Sequence, residues 1–325
     1  MTTLRQACNN CTVSKRKCIV LLPKCARCAQ RGLACVYNLE HLNAPSGHPE
    51  EVYGSQAGLY PHGYCLLKTV ASCGSAADPA ISKPGQSHTL ELVRRGYQAV
   101  PNLLRAGKPA IFVHPKFRAH SDARNHLDVF ATQGESGVIY EDYQRLVQLD
   151  AKTLPMHEAL TALQALLIYM GTFILSPSRV ERDSAEESFI VLSEWTQNLL
   201  ESVQRWIPRH QSSWQAWILG ESVRRTIIMS YGLSMSSNCF KYGYCSNWLF
   251  MESLPFDKRP GLWMAQSPQA WIASAGVKTG ADVGERLSSL HEFAEDLKED
   301  DQGFCGDLFL FLLMTSHNGL KKSGM

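Results

Sequence analysis

The sequence predicts a chain in three parts: a small cysteine-held head, a punctuated linker and an all-α body. Three observations carry this reading. Six of the eleven cysteines crowd into Cys8–Cys35. Proline and glycine then interrupt every periodic pattern from about residue 38 to residue 87. From Thr89 onward apolar residues recur at spacings of three and four, and strand-like alternation is nearly absent.

The head reads Cys8-x2-Cys11-x6-Cys18-x6-Cys25-x2-Cys28-x6-Cys35, so Cys8, Cys11 and Cys18 recur 17 residues later as Cys25, Cys28 and Cys35. A C-x2-C pair turns two thiolates onto one metal, and a third returns after a six-residue excursion. Zinc prefers four ligands in a tetrahedron. Six thiolates complete two such sites only if two are shared, so two bridged zinc ions are the economical solution. The competing readings are buried reduced thiols or a disulfide framework. Disulfides need an oxidising compartment, and MTTLRQACNN has no apolar stretch of the signal-peptide kind. The spacing favours metal. Apolar content in residues 1–37 is too small for a core, so metal binding and folding are expected to be one event.

The spacing resembles the fungal binuclear zinc cluster (Zn2Cys6) family of DNA-binding transcription regulators. Arg5 and Ala7 before the first cysteine carry the likeness, with the basic run Lys15-Arg16-Lys17, Pro23 in the loop, and Arg31, Gly32 and Tyr37 around the last thiol. The resemblance covers about the first 40 residues. It implies zinc ligation by Cys8, Cys11, Cys18, Cys25, Cys28 and Cys35, two ions per chain, with Cys8 and Cys25 as the bridges. It also implies that the first of two short helices enters the major groove of double-stranded DNA. The helices are expected to begin after the second cysteine of each half, near Thr12 and Ala29. Lys15 would then read a guanine in a CGG-type triplet, while Arg16, Lys17, Lys24 and Arg27 neutralise phosphates. The chain departs from the family at Thr12 and Ser14, where basic residues are common. Hydroxyls there still suit phosphate, but two charges are lost and weaker affinity is expected.

Charge agrees with this division. The chain has 325 residues and a net charge of +2, yet residues 1–40 hold seven Lys/Arg against Glu40 alone. The remainder carries 25 basic and 29 acidic residues. A basic head on a mildly acidic body suits nucleic-acid binding by the head. Hydrophobic content of 45% predicts a packed domain rather than wholesale disorder.

The expected boundaries are a Zn2Cys6 DNA-binding domain at 1–40, a flexible linker at 41–88 and a helical regulatory domain at 89–325. The linker is read from Pro45, Pro49, Pro61, Pro79, Pro84 and the glycines among them. It offers no sustained heptads, so any homodimer is expected to form through the body. In the body a helix begins near Leu90 and is disturbed by Pro101. Ile111–Pro115 reads as extended, Arg124–Ala131 as a short helix and Tyr140–Ala151 as a longer one. His157–Leu175 follows Pro155 as a buried helix. Ser184-x-x-Glu187 reads as a capping box for a helix carrying Phe189, Leu192, Trp195, Leu199 and Val203. Ser213 would cap the next, whose Glu221 and Arg225 are spaced for an i,i+4 pair. Val283–Lys298 and Asp307–Met314 complete the helices. The body also resembles the regulatory region behind the zinc cluster in fungal regulators, through Leu163–Leu167, Trp214…Glu221-Ser222-Val223-Arg224-Arg225, and Leu254-Pro255 leading to Leu262-Trp263. The likeness is loose, and the chain is short for such a regulator.

Other constellations carry less. Cys65 and Cys73 have no C-x2-C partner, and Cys239, Cys245 and Cys305 read as buried free thiols. No H-E-x-x-H, G-x-S-x-G, Walker or Rossmann pattern occurs in context, so an enzyme is not expected. Glu292–Asp301 mixes acidic and apolar residues; an amphipathic helix face outranks an activation segment. No apolar run reaches the length of a membrane span. The function expected is a nuclear, sequence-specific regulator of RNA polymerase II transcription that meets the transcription machinery or co-regulators. The alternative is a zinc-cluster protein-interaction module that has lost most DNA affinity.

Overall fold

The computed structural model describes residues 7–21, 24–37, 83–84, 87–117, 126–129, 136–174, 176–205, 213–242, 244–245, 248–259, 261–296 and 307–318. The head contains two five-residue helices, α1 (Asn9–Val13) and α2 (Ala26–Gln30). Each begins one residue after the first cysteine of its half, not after the second as the spacing suggested. Cys8 and Cys25 are the N-caps, with nearly identical extended backbones (φ −65°, ψ 158° and φ −60°, ψ 155°). A helix start leaves backbone N–H groups without partners; in the second half the Cys25 sulfur accepts one of them, from Cys28 N at 3.3 Å, whereas the Cys8 side chain makes no such cap bond.

The body is helical, as its apolar spacing predicts. In order come α3 (Ser87–Arg105), α4 (Ser136–Leu146), α5 (Met156–Phe173), α6 (Arg179–Glu187), α7 (Phe189–Arg205), α8 (Ser213–Tyr242), α9 (Trp248–Ser253), α10 (Pro268–Ser274), α11 (Leu290–Asp296) and α12 (Leu308–Asn318). Two short antiparallel ladders join distant segments: β1 (Lys83–Pro84) with β2 (Tyr244–Cys245), and β3 (Pro255–Asp257) with β4 (Leu287–Ser289). β1 and the first residues of α3 lie within the expected linker; the rest of that linker, with Cys65 and Cys73, falls outside the described residues.

The helix α5 is the centre of the body. Every residue from Ala159 to Gly171 is buried, and α3, α4, α6, α7 and α8 all pack on it. Leu163–Leu167 is therefore core. Gly171 allows α3 to come close, since a Cβ there would stand 2.7 Å from the Cβ of Tyr97. Tyr97 in turn donates its hydroxyl to the Met229 carbonyl, tying α3 to α8. Pro101 sits inside α3 without ending it.

Three local expectations change. Val283–Lys298 is not one helix: Val283 closes a 3-10 turn, Leu287–Ser289 is the strand β4 paired with β3, and α11 begins only at Leu290. Ser184 is not a cap: it lies within α6, where its Oγ meets Tyr140 Oη at 2.9 Å and its carbonyl accepts from Tyr143 at 2.9 Å. The cap of α6 is Ser178, whose side chain accepts from Glu181 N. Residues 110–117 form no strand. They are a buried loop, fixed by Gln164 Nε2 donating to Phe112 O at 2.7 Å and Trp263 Nε1 donating to Ala110 O at 2.7 Å.

The Glu221/Arg225 pair exists, and it is buried. Arg225 Nε donates to Glu221 at 2.8 Å, and its guanidinium grips Asp307 with bonds of 2.9 and 2.7 Å. Trp263 and Phe309 cover the guanidinium, with ring centroids 4.3 and 4.4 Å away. Arg224 donates to the other oxygen of Glu221 at 2.9 Å and to Glu285 at 3.2 Å. Burial opposes the charge on Arg225, but Asp307 and Glu221 more than offset it and hold its pKa above the ordinary value. A buried charge is tolerated when it is paired at close range in this way.

Candidate metal centre and nucleic-acid interface

The six sulfurs gather into two overlapping groups. Cys8, Cys11, Cys18 and Cys25 form one; Cys8, Cys25, Cys28 and Cys35 form the other; within each, all sulfurs lie within 4.8 Å of one another. Cys8 and Cys25 belong to both. Their sulfurs are 3.8 Å apart, Cys8 and Cys28 are 3.7 Å apart, and Cys11 and Cys25 are 3.7 Å apart. A tetrahedron of sulfurs about 2.3 Å from a central zinc has edges of about 3.8 Å, so the thiols already stand at zinc-site separations.

The repeat extends from the sequence into the hydrogen bonds. Cys8 N points to Cys18 Sγ at 3.5 Å, and Cys25 N to Cys35 Sγ at 3.2 Å. Both helices end alike. After α1, Lys15 N donates to Thr12 O (3.1 Å) and Arg16 N to Cys11 O (3.0 Å); after α2, Gly32 N donates to Ala29 O (3.2 Å) and Leu33 N to Cys28 O (2.9 Å). These are the paired bonds of a Schellman stop, which needs a left-handed residue at the turn. In the second half that residue is Gly32, φ 63°; in the first it is Lys15, φ 49°.

Burial pushes the Cys8, Cys18, Cys28 and Cys35 thiols above their ordinary value and takes Cys25 to about 12. Burial also raises Cys11, but sulfur contacts from Cys8 and Cys25 and the Arg27 guanidinium outweigh it and bring Cys11 down. Zinc binds thiolates, so loading the five thiols with raised pKa values is coupled to proton release.

The basic residues fall in two places. Lys15, Arg16 and Lys17 are exposed together just past α1. Lys24 and Arg27 are half-buried by the second half, and Arg27 Nη1 faces Cys11 Sγ at 4.0 Å. The hydroxyls of Thr12 and Ser14 bond back to their own helix, donating to Cys8 O at 3.0 Å and Asn10 O at 2.6 Å. A phosphate oxygen is an acceptor, so neither hydroxyl can serve it without releasing its carbonyl.

Sequence reasoning missed one set of contacts. Gln215 Nε2 donates to Cys35 O at 2.8 Å, and Tyr37 meets Trp214 edge-on, with centroids 5.9 Å apart and planes at 85°. Tyr37 Oη is 3.8 Å from Cys18 Sγ. The first turn of α8 thus touches the head some 180 residues away along the chain. No spacing or periodicity signals this; only the aromatic and amide at the start of α8 hint at a partner.

Comparison with known proteins agrees with the geometry. The family model for the fungal Zn(2)-Cys(6) binuclear cluster domain matches residues 6–43. The chain is 21% identical to Transcription factor gsfR2 of Penicillium aethiopicum over 391 aligned positions, covering 95% of this chain and 92% of that protein. It is 45% identical over 47 residues to Transcription factors phomD and phomD′ of Diaporthe leptostromiformis, covering 14% of this chain and 10% of theirs. No solved structure matches. The cluster geometry and these relatives make the chain a zinc-binding, DNA-binding regulator of transcription and not an enzyme, with a fungal Zn(2)-Cys(6) binuclear cluster domain at residues 6–43.

Proposed function

We propose that the chain is a nuclear regulator of RNA polymerase II transcription that reads a CGG-type triplet through Lys15. Two zinc ions hold the head. Cys11 and Cys18 complete one site, Cys28 and Cys35 the other, and Cys8 and Cys25 bridge. Zinc supplies no chemistry beyond folding the head and neutralising its thiolates. Arg16 and Lys17 meet phosphates beside the triplet, with Lys24 and Arg27 adding positive charge from the second half. The domains are the head at 1–40, a linker at 41–88 and a regulatory body at 89–325 that pairs chains as a homodimer and meets co-regulators.

The observation that carries this reading is the backbone of Lys15. A left-handed lysine costs about 1–2 kcal/mol where glycine costs almost nothing, and such strain is characteristic of functional positions. At this turn the lysine leaves the helix end on the exposed surface. Loss of two charges at Thr12 and Ser14, with both hydroxyls bonded back to helix carbonyls, favours the second reading, a protein-interaction module with little DNA affinity.

Competition titrations of the full chain on duplexes with and without the triplet decide between the two. Lys15→Ala should relax discrimination at one guanine, at a cost of about 1–3 kcal/mol. Lys17→Ala should weaken all sequences alike and reduce the salt slope by about one phosphate's share. Equal affinity of the wild type for every duplex would favour the interaction module.

A further inference from the structure

We propose that the first turn of α8 is a seat for the zinc cluster, and that through it zinc occupancy of the head and the folding of the body are linked. The inference rests on the reading that the six cysteines hold two zinc ions. Trp214 and Gln215 occupy that turn, and both are buried. Gln215 donates to the carbonyl of Cys35 at 2.8 Å, so Cys35 is held from two sides, by its sulfur among Cys8, Cys25 and Cys28 and by its carbonyl on the body. Tyr37, only 1% exposed, packs its edge on Trp214 while its hydroxyl lies at Cys18 Sγ. The body therefore reaches the last cysteine of each half: Cys35 through its backbone carbonyl and the Cys18 thiol through Tyr37.

The far side of the seat is tied into the core of the body. One turn further along α8, Trp217 donates to Asp257 at 3.0 Å, and Glu221, Arg224 and Arg225 begin the buried ion network. The path of residues 35–37 is set by whether Cys35 is gathered with the other sulfurs. Loss of metal removes that constraint, and the covers of Trp214 and Gln215 go with it. By reciprocity, a group that binds only the folded seat is held more tightly by it. Lys15, Arg16 and Lys17 stay exposed in the seated arrangement, so seating leaves the DNA-reading turn open.

The test uses the full chain. Native mass spectrometry first counts zinc; fewer than two ions in the wild type would overturn the underlying two-zinc reading and not the seat itself. Zinc transfer to a chromophoric chelator is then timed. Gln215→Ala loses a buried hydrogen bond and should release zinc about fivefold faster, and Trp214→Phe should accelerate release as well. Tyr37→Phe keeps the ring contact with Trp214 and should change release less than Gln215→Ala. An arm without substitutions follows hydrogen exchange of peptides covering 213–222 with zinc bound and after chelation. Faster exchange there after chelation supports the seat. Wild-type release from Gln215→Ala and Trp214→Phe, or unchanged exchange in 213–222, would overturn it.

Discussion

Lys15 and Gly32 occupy the same position in the two halves of the head, and only Gly32 is the residue that a left-handed turn prefers. The strain at Lys15 can be relieved by a substitution that also removes the side chain. Lys15→Gly should raise the thermal stability of the zinc-loaded chain by about 0.5–1 kcal/mol while lowering triplet discrimination. A parallel loss of stability and discrimination would show that Lys15 matters for the fold and not for reading. The thiols and the basic run were legible from residue types and spacing alone. The backbone of Lys15 was not, because nothing in a Ser14-Lys15-Arg16 run marks a left-handed turn. The back-bonded hydroxyls of Thr12 and Ser14 were equally hidden, since the same residues bond outward or back to a carbonyl according to their place in the turn.

At the scale of the element, α8 shows what periodicity gives and what it withholds. Its pairing of Glu221 with Arg225 follows from i,i+4 spacing. Its partner Asp307 lies 82 residues from Arg225, and burial of both arginines follows from tertiary packing that no local pattern encodes. For the same reason Ser184-x-x-Glu187 passed for a helix start although Ser178 holds that role: both are followed by a glutamate three residues on, and only the packing of Tyr140 and Tyr143 on Ser184 separates them. Arg225→Met should destabilise the body by about 3–5 kcal/mol, because Asp307 is left buried without its cation. Arg225→Met combined with Asp307→Leu should recover much of that loss. Chemical denaturation of the two single variants and the double measures the coupling; additive losses would mean that the pair is not the source of the effect.

Across the whole molecule, acid should act on the body through His114. It is fully buried beside Trp263 and accepts from Lys116 N at 3.2 Å. Burial holds its pKa down at about 3. The unfolded chain takes up a proton near pH 6.5 that the folded chain refuses, so stability is complete above that pH. Below it stability falls by about 1.4 kcal/mol per pH unit for this one group, until His114 protonates near pH 3. Thermal unfolding between pH 6 and pH 4 should show this slope, and His114→Asn, which keeps an acceptor for Lys116 N, should remove about one proton's worth of it. The division into a cysteine-held head and a helical body was legible because each obeys its own local pattern. The meeting of Cys35 with Gln215 was not, because it joins segments whose patterns are each complete without the other. That meeting bears on how two chains would share one DNA site. Two heads on free tethers would accept half-sites at many separations. Heads seated on α8 are spaced by the bodies that carry them, so a homodimer should select one separation of triplets and one relative orientation. Binding to a series of duplexes differing only in the spacer between two CGG triplets would then give a single sharp optimum, and a flat profile would mean that the heads leave their seats on DNA.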